Sequence, residues 1–220
     1  MRYAVLDLEM CRVPKSLRTD EYRWSRETIQ IGAVMLDENF NVVRKFSTFV
    51  RPQYGRMDPF IERLTGITKE NVYTAQYFEA AINRFLRWLK DYDVKCVSWS
   101  YADENQIRRE VEAKGINNER LNQLLDSWID CQKLFDEMMD SVRQYSLEEA
   151  LIASDICNEG RAHDGLVDAY NTALLFAKLK TEPVYKLNEL YSNARTGQVE
   201  HLGVTLGDMF GGLKLQLAAG

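Results

Sequence analysis

Little in this chain points to a fold held by anything but a hydrophobic core. Its 220 residues include four cysteines, Cys11, Cys96, Cys131 and Cys157. None forms a C-x-x-C pair, which argues against a zinc knuckle or disulfide frame and fits reduced thiols in a cytoplasmic protein. Long apolar runs are missing too. No stretch approaches the roughly 20 residues of a membrane-spanning helix, and Asp7 arrives too early for the apolar segment of a signal peptide, so no membrane partner is expected. Positive charge is in short supply: 28 Lys and Arg stand against 33 Asp and Glu, a net charge of −5. That argues against a protein that coats polyanions indiscriminately, so any nucleic-acid contact must be local. Histidines number two, and neither internal repeats nor low-complexity tracts occur. The remainder, 45% hydrophobic and 28% charged, suffices for one large domain with an appendage.

What is there alternates first as strands and then as strands and helices. Residues 2–9, 28–36 and 42–50 read as three antiparallel strands, the last two joined across Asp37 to Asn41. Phe78, Ala81, Ile82, Phe85, Leu86 and Leu89 recur at helical spacing. A buried strand is expected over 96–101, then a helix from about Asp103 that Gly115 can end. A short strand at 128–131, a capping box of Ser146 with Glu149, and a helix over 166–180 follow. A meander running into strand–helix alternation predicts an α/β architecture, a mixed sheet flanked by helices. The domain is expected over 1–182, with 183–220, richer in glycine and without clear period, as a C-terminal extension.

The chemistry begins at Asp7 and Glu9, inside an apolar run. Period two turns Ala4, Leu6 and Leu8 to one face and both carboxylates to the other. Two acids sharing a site repel unless a cation neutralises them or one takes a proton, which suggests a hard divalent metal; the alternative is the solvent face of an amphipathic strand. Asp103 stands where a strand gives way to a helix, the place where ligands meet α/β sheets, although an N-cap would use the same residue type. His163 precedes Gly165 in a turn, and Asp168 lies one turn into the next helix, where the dipole alone would also suit it. Arg12, Lys15, Arg18, Arg23 and Arg26 lie in a basic loop that could contact phosphates, although the mixed charge there favours an ordinary solvated loop.

Asp7-x-Glu9, then Thr28 to Ala33, Leu64 to Thr68, Trp99 to Asp103, and His163 with Asp168, stand in an order that resembles the DEDD exonucleases of the histidine subclass. Within it the detail is most similar to the branch of the histone-mRNA 3′-end exonuclease and its bacterial relatives. Ser100, Tyr101 and Ala102 depart from the glycine-containing version of the third motif, and Met10 and Cys11 follow Glu9. The resemblance implies a ribonuclease-H-like mixed sheet of five strands and a two-metal 3′-to-5′ exonuclease. Its substrate would be the 3′ ends of single-stranded RNA or DNA, RNA favoured, and its product nucleoside 5′-monophosphates. The cofactors would be two divalent cations, Mg²⁺ or Mn²⁺, held by Asp7, Glu9, Asp103 and Asp168. Asp7 would serve both ions, Glu9 and Asp168 complete one site, Asp103 support the other, and His163 take a proton from the attacking water. Met10, Leu64, Thr65, Gly66, Ile67 and Tyr101 are expected to hold the terminal nucleotide. A regulatory binding protein on the same fold, or a proofreading-type DNA exonuclease, is the alternative.

Overall fold

The computed structural model describes residues 1–90, 92–140, 143–189 and 191. The chain divides into two units, Met1–Lys186 and Leu187–Gly220. Most of the extension expected over 183–220 lies outside the described residues.

Within Met1–Lys186 the strands are β1 (Arg2–Arg12), β2 (Arg26–Leu36), β3 (Val42–Arg51), β4 (Gln76–Tyr77), β5 (Val94–Ser98) and β6 (Ile129–Asp130). Early helices are α1 (Pro59–Thr65), α2 (Lys69–Tyr73) and α3 (Phe78–Leu89), followed by α4 (Tyr101–Ala113) and α5 (Glu119–Asp126). The last three are α6 (Cys131–Met139), α7 (Leu147–Ala153) and α8 (Gly165–Thr181). The sheet runs β4-β3-β2-β1-β5-β6. Antiparallel pairing joins β1, β2 and β3, while β5 and β6 add in parallel beside β1. The α/β class and mixed sheet expected from the sequence are therefore present. The strand count is six rather than five, because the short β4 pairs with β3 at the edge. No helix among the described residues is long and apolar enough to cross a membrane.

The two faces of β1 explain where its acids go. Ala4, Leu6 and Leu8 join a core with α3 residues Ala81, Ile82, Phe85 and Leu86 and with Leu121, Leu124 and Leu125 of α5. The other face is not solvent: Val5 packs with Val34, Val97 and the α8 residues Ala169, Ala173 and Phe176. Alternation puts Asp7 and Glu9 on that same α8-covered face, beyond Val5. A third cluster, with Cys11, Ile29, Met57, Ile61, Ile67 and Val72, seats α1 and α2 on the far ends of β1 and β2. Glu27 and Glu110, both fully buried, meet Lys114 at 2.8 and 2.6 Å. Glu27 also accepts the backbone N–H groups of Gln53, Tyr54 and Gly55. The segment after β3 is thereby pinned to the start of β2.

Candidate active site

Four elements and one loop bring the candidate residues together. Pairing of β1 with β2 shifts register between Glu9 and Met10, and Asp7 lies opposite Gly32. That glycine is required by space: a Cβ there would lie 2.1 Å from the Gly165 carbonyl carbon. A Cβ on Gly165 would in turn come 3.1 Å from the Asp7 carbonyl oxygen. Two bare backbones thus let the start of α8 reach the sheet at Asp7, and Gly165 N–H donates to Gln30 Oε1 at 3.0 Å. Asp164 caps α8, accepting from Leu166 and Val167 N–H, so Asp168 is spared that duty. The Asp168 Oδ2 instead accepts the His163 N–H at 2.9 Å. His163 is exposed and adopts φ 64°, a left-handed conformation uncommon outside glycine. Ser100, not Asp103, caps α4. Asp103, only 6% exposed, accepts Leu8 N–H at 3.1 Å, which ties the third acid to the strand bearing the first two.

The electrostatics follow from that crowding. Burial raises Asp7 well above the usual carboxylate range, and Asp103, Glu9, Asp168 and Asp164 raise it further. Glu9 is pushed up to about 8, first by burial and then by Asp168, Asp103 and Asp164. Burial brings Asp103 to about 7 in spite of the Leu8 hydrogen bond, and it raises Asp168 against the pull of the His163 N–H. One donor atom each from Glu9, His163 and Asp168 lies within 4.8 Å of the others. Oxygen donors that resist ionising beside one another are what a hard divalent cation relieves, so the donor set fits such ions.

These groups open on a cavity of about 420 Å³ bordered by Asp7, Glu9, His163 and Asp168. Of the nucleotide-holding residues expected from sequence, Met10 and Leu64 line it. The others do not. Ile67 is buried in the α1–α2 cluster. Thr65 is 4% exposed, its hydroxyl donating to Ile61 O and accepting from Ile67 N–H. Gly66 ends α1 at φ 75° and abuts the Arg161 guanidinium. Tyr101, 44% exposed, borders a separate cavity with Asp130 and Lys133. After Leu64 the helix ends at Gly66 in an αL cap, with Thr65 and Ile67 buried on either side of it.

Sequence reasoning missed Phe60, Ile61 and Leu147, all on the cavity wall, and it read Arg12 and Arg26, which also line it, as part of a solvated loop. A signal existed for one of them. Phe60 follows an Asp58-Pro59 helix start and is 52% exposed, an apolar ring held in solvent at a helix entrance. Trp99, inside the stretch 96–101 expected as a buried strand, is half-buried and also lines the cavity, its ring 6.1 Å from Phe135.

Acids drawn from separate elements meet at the end of a mixed sheet flanked by helices, which is a ribonuclease-H-like fold. The Exonuclease (RNase_T) family model matches residues 4–176, and the chain belongs to that family. Membership bears out the exonuclease expected from sequence and implies divalent metal ions as its cofactors. ERI1 exoribonuclease 2 of Danio rerio is 29% identical over 180 residues, covering 71% of this chain and 32% of the relative. The chain thus spans about a third of that relative's length. Among solved structures, the nuclease domain of 3′hExo, a DEDDh family member bound to rAMP, superposes with TM-score 0.71 at 20% identity, over 85% of this chain and 96% of that one. E. coli Exonuclease I in complex with a dT13 oligonucleotide superposes with TM-score 0.60 at 19% identity, over 82% and 41%.

Proposed function

We propose that the protein is a 3′-to-5′ exonuclease that releases nucleoside 5′-monophosphates from single-stranded ends, with Mg²⁺ or Mn²⁺ as its cations. One observation carries this: Asp7, Glu9 and Asp168 border a cavity of about 420 Å³ together with His163, and Asp103, tied to Leu8 N–H, lies close enough to Asp7 to raise its carboxyl. When bound, two divalent cations stabilise the attacking and leaving oxygens of an in-line displacement at phosphorus. Asp7, Glu9, Asp103 and Asp168 hold them. His163 takes a proton from the water that attacks; the new P–O bond forms as the P–O3′ bond breaks, and the departing 3′-oxygen gains a proton. The loop position of His163, hung on Asp168 by one hydrogen bond, lets the imidazole close over a seated strand. Met10, Leu64, Phe60 and Trp99 give the terminal nucleotide apolar and aromatic surface.

RNA is the favoured strand because the curated relative is an exoribonuclease. The likeness to a nuclease in complex with a DNA oligonucleotide keeps DNA as the second reading. Matched RNA and DNA oligonucleotides with Mg²⁺ or Mn²⁺ test both: mononucleotides should appear from the first time point, a blocked 3′ end should resist, and a modified 5′ end should not matter. Cutting of a circular strand as fast as a linear one would replace this reading with an endonuclease.

A further inference from the structure

A second cavity, of about 450 Å³, adjoins the acidic one, with Arg12 and Arg26 lining both. Its other charged walls are Lys15, Arg18 and Arg56, and its one carboxylate is Asp58. That carboxylate is engaged in capping α1, accepting from Phe60 and Ile61 N–H at 2.8 and 3.0 Å. None of the five cations has an ion-pair partner among the described residues. In a chain with more acids than bases, five cations around one hollow against a single carboxylate favour an anion there.

The fold builds this hollow. Arg12 and Arg26 are register partners at the last rung of the β1–β2 ladder. Arg56 joins them through a bridge to Arg12, its N–H donating to Arg12 O at 2.9 Å. Arg18 Nε donates to Val13 O at 3.2 Å, and Lys15 stands on the single 3-10 turn between. The mixed-charge loop is therefore sorted in space. Arg23 stacks on Trp24 with 4.8 Å to the ring centroid and takes no part in the hollow.

We propose that this basic trough binds the backbone phosphates of the single strand whose 3′ terminus occupies the acidic cavity, on the 5′ side of the bond to be cut. The proposal rests on the nuclease reading of that cavity. Arginine offers the planar fork that suits phosphate oxygens, and a strand leaving the acids past Arg12 and Arg26 enters the trough without turning away. An acidic peptide would satisfy the charges but has no reason to be continuous with the acids. The trough accordingly makes the protein favour strands over dinucleotides and gives that preference a salt dependence.

The test uses the full chain with Lys15, Arg18 and Arg56, none of which borders the acidic cavity, changed together to Gln; single Lys15→Gln keeps the test usable should the triple variant fold poorly. Three readouts separate the ideas: turnover of a nucleoside 5′-monophosphate p-nitrophenyl ester, KM for a long strand against a dinucleotide, and strand binding by fluorescence anisotropy in EDTA. In the triple variant, KM for the long strand should rise about tenfold, and the salt slope of log K should become shallower by about 0.7 for each phosphate no longer neutralised. Dinucleotide KM and ester turnover should stay near those of the unchanged protein. An unchanged long-strand KM, salt slope and anisotropy would overturn the trough, as would competition by polyglutamate equal to that by polyuridylate. If the unchanged protein cuts neither strand nor ester, the nuclease reading fails, and anisotropy alone still decides the trough.

Discussion

At Asp7 the local chemistry is most exposed to test, because every neighbour that perturbs it is another acid. Asp7→Asn should abolish cleavage in an oligonucleotide assay with Mg²⁺ or Mn²⁺, and metal stripping with EDTA should do the same to the unchanged protein; activity surviving either would end the metal reading. His163→Ala should slow single-turnover cleavage about 10²- to 10⁴-fold, the usual worth of a general base, with nucleotide affinity nearly intact. The raised carboxyls also set a stability profile for the metal-free protein. Glu9 moves from 4.5 to about 8 and Asp103 from 3.8 to about 7. Between those limits the folded state keeps protons that the unfolded chain has released, so stability is greatest below about pH 3.8 as far as these groups decide it, and falls as pH rises to about 8. Thermal melts in EDTA should show Tm declining across that window, and added Mg²⁺ should raise Tm more at its upper end than at its lower. The acids and His163 were legible in sequence because each combines an ionisable group with a motif position. The nucleotide wall was not, since whether Leu64 or Ile67 faces the cavity depends on where α1 stops, which Gly66 decides through its left-handed φ of 75°.

Among elements, α8 and β2 show how much depends on one missing side chain. Gly32→Ala would drive a methyl into the backbone of Gly165, 2.1 Å away, where no side chain can yield. The start of α8 must move, at a cost of about 1–3 kcal/mol, and Asp168 moves with it. Activity should fall much further than the denaturation midpoint suggests, about 10²-fold for a displacement near 1 Å, so kcat and urea midpoint measured together check the claim. Lys114→Met should lower the urea midpoint by an amount equivalent to about 3–5 kcal/mol, since it leaves Glu27 and Glu110 buried without their cation. Long periodic elements were the legible ones: all six apolar positions of the α3 stripe are buried as spaced. Two-residue strands such as β4 carry too little pattern to be seen. The start of α4 was set two residues late because Asp103 and Ser100 are both good caps, and only the Leu8 N–H gives Asp103 its other task.

On the scale of the whole molecule, the unit Met1–Lys186 contains every candidate site residue and the three hydrophobic clusters described. A chain cut after Lys186 should therefore fold and cleave at a rate near that of the full chain; circular dichroism and the oligonucleotide assay together check this. The order of parts was legible as a meander followed by strand–helix alternation, but the second core beneath α8 was not, because alternation along β1 says which residues share a face and nothing of what covers it. Gly32 and Gly165 join the beginning of the chain to nearly its last described helix. During synthesis, Asp7, Glu9 and Asp103 leave the ribosome long before Asp168, so an emerging chain holds three acids and no finished site. A site assembled in that order has no complete set of acids until α8 has been made.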